Sequence, residues 1–286
     1  MLVNMKDLLA VAHKNNFAVP AFNISSNMIL TGVIEASEEK RSPLIVAIHP
    51  DELKFVHPSF VKMAIEEAHK ATVPVCIHLD HGADIKDVMI AIQAGFTSVM
   101  IDASRFSLEE NIALCKQVVE IAHPVNVSVE GELGTIGTTG PEAEAGTDVI
   151  IYTNPADAVT LVNASGIDTL AVAIGTSHGI YPKDRKPELK LDLLKVIASM
   201  VNIPLVLHGG SANPDNEIAE AVKLGVNKIN ISSDIKDAFY QKARQVLSDP
   251  VIREPNSIYP PCIEAMKQVC YHKIDLFNAT GKADLY

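Results

Sequence analysis

Hydrophobic residues along this chain gather in eight short, nearly continuous runs. They are Ala18–Ile24, Leu44–His49, Val73–Asp80, Ser98–Asp102, Asn126–Glu130, Thr169–Gly175, Ile203–His208 and Val226–Ile231. Consecutive rather than alternating apolar positions suit strands covered on both faces, as in a parallel sheet. Between the runs the pattern changes to that of helices with one apolar face. These segments are Asn27–Glu39, Ser59–Lys70, Ile85–Ala94, Leu108–Ala122, Ala156–Ala164, Leu191–Ser199 and Asp215–Leu224, and Asp234–Leu247 follows the last run. Asn154-Pro155 and Asn213-Pro214 read as helix starts, with Pro near the first turn. Eight strand–helix units over about 250 residues, without a break in composition, predict a single-domain α/β protein: a (β/α)8 TIM barrel spanning 1–286 with a C-terminal helical extension. A doubly wound open sheet is the competing arrangement. The longest stretch without periodicity is Gly134–Thr153, which holds Gly134, Gly137, Gly140 and Gly146. A loop that long in a compact domain usually moves or carries function.

Composition narrows the function. The 286 residues are 48% hydrophobic and 21% charged, an ordinary globular balance, and the formal net charge is −11. An acidic surface repels phosphate backbones, which argues against a nucleic-acid partner. An anionic ligand must therefore be held by a local site. Cys76, Cys115, Cys262 and Cys270 form no CxxC pair, so a disulfide framework is not expected, and Cys76 reads as a core residue. Met1 to Leu9 carries Asp7 and has no long apolar stretch, so no signal peptide is read there. No apolar run approaches the roughly 20 residues of a membrane helix. The expectation is a cytoplasmic protein with no membrane partner.

In a barrel of this kind ligands meet the carboxyl ends of the strands. There the chain places His78-Leu79-Asp80-His81, Asp102, Glu130-Gly131-Glu132, Gly175-Thr176-Ser177-His178-Gly179, His208-Gly209-Gly210-Ser211 and Asn230-Ile231-Ser232-Ser233. His81, His178 and His208 end three strands and can hold one divalent metal, leaving a coordination position for substrate. Any one of them alone fits equally a hydrogen-bonded rim residue. His78 lies deeper and on the opposite face of a regular strand, and His49 reads as pocket wall. Asp80, next to His81, suits proton exchange with a metal-bound substrate, or the orientation of a histidine. Asp102 and Glu132 fit a second metal position or structural ion pairs. Gly179, Gly209, Gly210 and Ser211 can wrap backbone N–H groups around a phosphate, and Asn230 to Ser233 opens a helix whose N-terminus favours an anion.

These motifs, in this order, resemble the class II (zinc-dependent) ketose-bisphosphate aldolases, the fructose- and tagatose-bisphosphate aldolase family. The resemblance begins at Val19-Pro20-Ala21-Phe22-Asn23. It passes through the segments above, including Glu130-Gly131-Glu132-Leu133-Gly134 and Lys228-Ile229-Asn230-Ile231, and ends at Lys273–Lys282. It implies zinc on His81, His178 and His208, with Asp80 as the acid/base at the C4 hydroxyl. It implies substrate contacts at Asn23, Gly179, Gly209 to Ser211, Asn230, Ile231, Ser232 and Ser233. Asp102 and Glu132 match the alternate zinc position of some members. A monovalent cation near the phosphate and a homodimer or homotetramer are further implications. The substrate would be a ketose 1,6-bisphosphate, cleaved reversibly to dihydroxyacetone phosphate and an aldehyde such as glyceraldehyde 3-phosphate.

The chain departs from the family pattern at several places. The loop glutamate that protonates C3 in the family falls here on Gly140, which leaves Glu142 and Glu144 as candidates. His49-Pro50-Asp51 replaces a Ser-x-Gly-type turn, Ala212 follows Gly-Gly-Ser where the family has Gly, and Ser232 stands where several fructose-type members carry an acid. Lys236, six positions after Asn230, matches a basic residue that reaches the far phosphate. A zinc hydrolase on the same barrel and a non-catalytic sugar-phosphate-binding protein are the competing readings.

Overall fold

A computed structural model describes residues 1–139, 146–147, 149–181 and 187–286. Eight parallel strands close a barrel: β1 (Val19–Asn23), β2 (Leu44–Ile48), β3 (Val75–Gly82), β4 (Ser98–Ile101), β5 (Ser128–Leu133), β6 (Thr169–Val172), β7 (Leu205–Leu207) and β8 (Val226–Ile231). Each pairs with its sequence neighbours, and β8 returns to β1. Closure excludes the open doubly wound sheet and leaves the barrel sheet without a free edge.

Helices alternate with the strands: α1 (Met5–Asn15), α2 (Asn27–Glu39), α3 (Pro50–Val56), α4 (Pro58–Lys70), α5 (Ile85–Ala94), α6 (Leu108–Ala122), α7 (Pro155–Ser165), α8 (Leu191–Met200), α9 (Asp215–Lys223), α10 (Ser233–Val246) and α11 (Pro255–Leu276). Short polar residues start many of them by accepting a backbone N–H: Ser26 for α2, Asp84 for α5, Ser107 for α6 and Asn154 for α7. Gly95 and Gly166, at φ 100° and 76°, end α5 and α7 in the left-handed conformation that glycine adopts without steric cost. Pro214 is the residue before α9, which begins at Asp215, where the amphipathic pattern placed its start.

Two elements, α1 and α3, were not visible in the strand–helix rhythm, whereas the C-terminal helical extension was expected. Helix α1 buries Met5, Leu8, Leu9 and Ala12 and touches β3, β5 and β8, so it closes the amino end of the barrel. Helix α3 is a short insertion after β2. Helix α11, the C-terminal extension, packs across α2 and α10. The segment read as aperiodic is in part ordered by pairing. Gly137–Thr138 pairs in parallel with Ser177–His178 above the barrel rim, and Thr135 bridges Ile151.

Period-two geometry stacks polar side chains in two layers inside the barrel. His78 and Asp80, Glu130 and Glu132, and Lys228 and Asn230 are each two residues apart on one strand and share a face. The lower layer holds His78, Glu130 and Lys228, all fully buried. The upper layer is the candidate site.

Candidate active site

Asp80 stands at the centre of the upper layer. Its Oδ2 accepts from Asn23 Nδ2 at 2.7 Å, and its Oδ1 accepts from Asn230 Nδ2 at 2.9 Å. Both amides come from strands paired to each other, β1 and β8. In a regular strand His81 would point away from Asp80. Here the β3–β4 register shifts between Leu79 and Gly82, and His81 takes φ 50°. This local bulge turns two successive side chains towards the same site. Strained backbone at a chemically active position is a recurring property of functional sites.

His81 and His208 meet there. Nε2 of His81 and Nδ1 of His208 are 2.9 Å apart, and the latter lies 3.9 Å from Asp80 Oδ1. The opposite ring nitrogens are held by carboxylates. His81 Nδ1 donates to Asp102 Oδ2 at 3.0 Å, and His208 Nε2 donates to Glu130 Oε1 at 2.8 Å. A carboxylate behind each imidazole fixes its tautomer and its metal-facing nitrogen, as is usual for metal-binding histidines. His178, on the short ladder above the rim, brings its ring centroid within 5.1 Å of His81 and 6.4 Å of His208. The groups whose donor atoms all lie within 4.8 Å of one another are Asp80 with His81 and His208, and His81 with Asp102 and Glu132. His178 stands beside these clusters and belongs to neither.

The donor set fits a divalent cation. Glu132 is buried, and its Oε2 has no hydrogen-bond donor among the described residues. A buried carboxylate oxygen of that kind needs a proton or a cation. Burial, with Asp102 as neighbour, pushes the Glu132 pKa well above the usual carboxylate range. Burial alone would depress His81, but Asp80, Asp102 and Glu132 outweigh it and push its pKa up to about 10. Burial and the neighbouring His81 hold His208 below the ordinary imidazole value.

Beneath the site, Lys228 Nζ donates to both oxygens of Glu130, at 2.9 and 2.8 Å, and lies 3.3 Å from His78 Nε2. His78 Nδ1 meets Ser98 Oγ at 2.9 Å. Burial, reinforced by the Lys228 charge, lowers the His78 pKa to about 3, so this histidine is neutral. Glu130 and Lys228 were not singled out as site residues in the sequence. The available signal was a charged side chain inside a strand run buried on both faces, two residues before a candidate site residue on the same face.

The glycine-rich turns face the site from β6, β7 and β8. Gly179 and Gly209 adopt φ 98° and 62°. A Cβ on Gly210 would lie 2.8 Å from the Asn230 carbonyl oxygen, so the turn after β7 lies directly against the backbone of β8. Asn213 Nδ2 ties down the Gly209 and Ser211 carbonyls. The N-terminus of α10 begins at Ser232 and Ser233, and its Asp234 is paired with Lys273 of α11 at 2.8 Å. Ile231 has a fully buried side chain, so only its backbone is placed to serve a ligand. Lys236 does not project freely from the rim. Its Nζ donates to Glu52 Oε1 at 2.6 Å and to Ser232 Oγ at 2.9 Å, while Glu52 Oε2 accepts from the His49 backbone N–H. Glu142, Glu144 and Gly140 lie outside the described residues.

Histidine and carboxylate donors on the carboxyl rim of a TIM barrel, beside glycine-rich anion loops, define a metal-dependent enzyme. The family follows from comparison with known proteins. The model of class-II fructose-bisphosphate aldolases matches residues 3–282, and the chain belongs to that family of metal-dependent lyases, which break and form carbon–carbon bonds by reversible aldol cleavage. A fructose-bisphosphate aldolase of Geobacillus stearothermophilus is 39% identical over 99% of both chains. Among solved structures, the YdjI aldolase of Escherichia coli K12 is 34% identical, with TM-score 0.88 over 99% of this chain and all of that one. A putative fructose-1,6-bisphosphate aldolase of Coccidioides immitis is 27% identical, with TM-score 0.91 over 99% of both chains.

Proposed function

We propose that this chain cleaves a ketose 1,6-bisphosphate of the tagatose or fructose type into dihydroxyacetone phosphate and an aldehyde such as glyceraldehyde 3-phosphate. Zinc bound by His81, His178 and His208 would supply a Lewis acid for the ketose carbonyl. The observation that carries the reading is the setting of Asp80: a fully buried carboxylate, hydrogen-bonded on both oxygens, within 3.9 Å of a metal-facing histidine nitrogen. Despite its burial, the neighbouring His81 and His208 hold it well below the usual carboxylate range, so it is ionised.

Asp80 takes the proton of the C4 hydroxyl. The C3–C4 bond breaks, C4 leaves as the aldehyde carbonyl, and the electron pair stays with the C3 fragment. Glu142 or Glu144 returns a proton to C3 to complete dihydroxyacetone phosphate. Asn23 and Asn230 keep the Asp80 carboxylate aimed throughout. Gly179, Gly209, Gly210 and Ser211, with Asn230 to Ser233, hold the phosphate of the triose half through backbone N–H groups and hydroxyls. Asp102 and Glu132, with His81, offer the alternate metal position. Release of dihydroxyacetone phosphate from a panel of phosphorylated ketoses, with and without a zinc chelator, tests the reading. Chelator-sensitive release supports it, and release from none of the panel overturns it.

A further inference from the structure

A cavity of about 330 Å³ adjoins the metal-site residues His81 and Asp102. Its walls come from the chain after β2, β3 and β4. The anion loops described above follow β6, β7 and β8, on the opposite arc of the barrel. With the triose phosphate held there, this cavity is left for the other half of the substrate.

Its charges are unevenly matched. Asp51 is paired with Lys54 at 2.9 Å, Asp87 accepts from the Ala83 backbone N–H, and Asp102 is occupied by His81 and Ser104. Arg105 is different. Its Nη2 donates to the Gly146 carbonyl at 3.2 Å, and among the described residues no carboxylate lies within ion-pair reach of its guanidinium. The exposed ring of Phe106 lies beside it on the cavity wall. Lys236, the basic residue that matches the family's far-phosphate position, donates to Glu52 and Ser232.

Resting on the aldolase reading, we infer that Arg105 selects substrates whose far end, beyond the cleaved bond, carries an anionic group. A planar guanidinium presents parallel N–H donors that match two oxygens of a phosphate or a carboxylate. Lys54 offsets Asp51, and Arg105 adds a cation with no carboxylate partner among the described residues, which favours that anion at this wall of the cavity despite the acidic chain.

The test runs the reaction in the condensation direction with the zinc-loaded enzyme. Dihydroxyacetone phosphate is offered with glyceraldehyde 3-phosphate, with succinic semialdehyde, or with uncharged glyceraldehyde. The wild type should favour an anionic aldehyde over glyceraldehyde in kcat/KM. Arg105→Met should cut that preference by about tenfold or more, the scale of a charge-assisted hydrogen bond, and Arg105→Glu should cut it further. The anionic aldehyde that suffers the larger loss identifies phosphate or carboxylate as the group bound. A wild type without a preference for charge, or a preference unchanged in both variants, overturns the inference and leaves the aldolase reading standing. Absence of condensation with every aldehyde sinks the aldolase reading, and this inference with it.

Discussion

His208 donates from Nε2 to Glu130 Oε1 across 2.8 Å, with both side chains completely buried. That bond leaves Nδ1 as the nitrogen available for metal. Glu130 is held in turn by Lys228, so a lysine in the lower layer sets the orientation of a ligand in the upper one. Glu130→Gln should weaken zinc binding by about 10–100-fold, as loss of such a carboxylate partner does. Competition against a chromophoric chelator measures this directly. Unchanged affinity would reduce Glu130 to a partner for Lys228.

The same pair makes a stability prediction. Lys228→Met leaves Glu130 buried without its counter-ion, which costs about 3–5 kcal/mol. Removing both charges, with Glu130→Gln and Lys228→Met together, should recover much of that loss, since no uncompensated charge remains. Urea unfolding of the two single variants and the double variant closes the cycle. Strict additivity would mean that the two side chains do not interact energetically.

Removal of the metal separates ligands from proton carriers. Ala at His81, His178 or His208 should abolish zinc binding and turnover together. Asp80→Ala should retain zinc and lose turnover by about 10²–10⁴-fold, the range of a positioned proton-transfer group. Zinc content by mass spectrometry and initial rates distinguish the two outcomes. His178 is the most informative variant, because it stands outside the tight donor groups. Full zinc-dependent activity in His178→Ala would remove it from the ligand set.

Much of the barrel was legible because continuous apolar runs and amphipathic helices alternate with regular period. The strand boundaries were less so. Strand β3 runs to Gly82 rather than ending at Asp80, because the bulge at His81 keeps the chain paired past the last apolar residue. Strand β6 stops at Val172, and the Gly175 turn at φ 120° sends His178 onto a separate ladder. Helix α1 escaped notice because it caps the barrel and stands outside the strand–helix repeat. The convergence of Asp80, His81 and His208 was anticipated from strand ends. The lower layer was not, since pairing Glu130 with Lys228 across the barrel requires closure that no local pattern encodes. The match of Lys236 to a far-phosphate residue could not reveal Glu52, which arrives on the unpredicted helix α3.

The segment after β5 bears on proton return to C3. Glu142→Ala combined with Glu144→Ala should slow exchange of the C3 proton of dihydroxyacetone phosphate more than it weakens binding, since a group acting only in the transition state changes rate and not ground-state affinity. Loss of tritium or deuterium label from C3, beside a binding isotherm, reads both quantities. Normal exchange in the double variant would assign the proton to Asp80 or to water.

Ala212 gives the last prediction. It follows Gly-Gly-Ser in the β7 turn and sits at φ 55°, where a Cβ crowds the backbone. Its backbone N–H donates to Asp234 Oδ2 at 3.2 Å, which anchors the turn to the start of α10. Ala212→Gly keeps that N–H and removes the crowded methyl. Relief of the left-handed strain is worth about 1–2 kcal/mol, while the greater freedom of glycine in the unfolded chain takes back about 0.4–1 kcal/mol. The net expectation is a gain of about 0.5–1 kcal/mol, or a rise in Tm of about 1–3 °C for a domain of this size. Calorimetry of the zinc-loaded protein measures it. A lower Tm would show that the Ala212 methyl makes packing contacts worth more than the strain it causes.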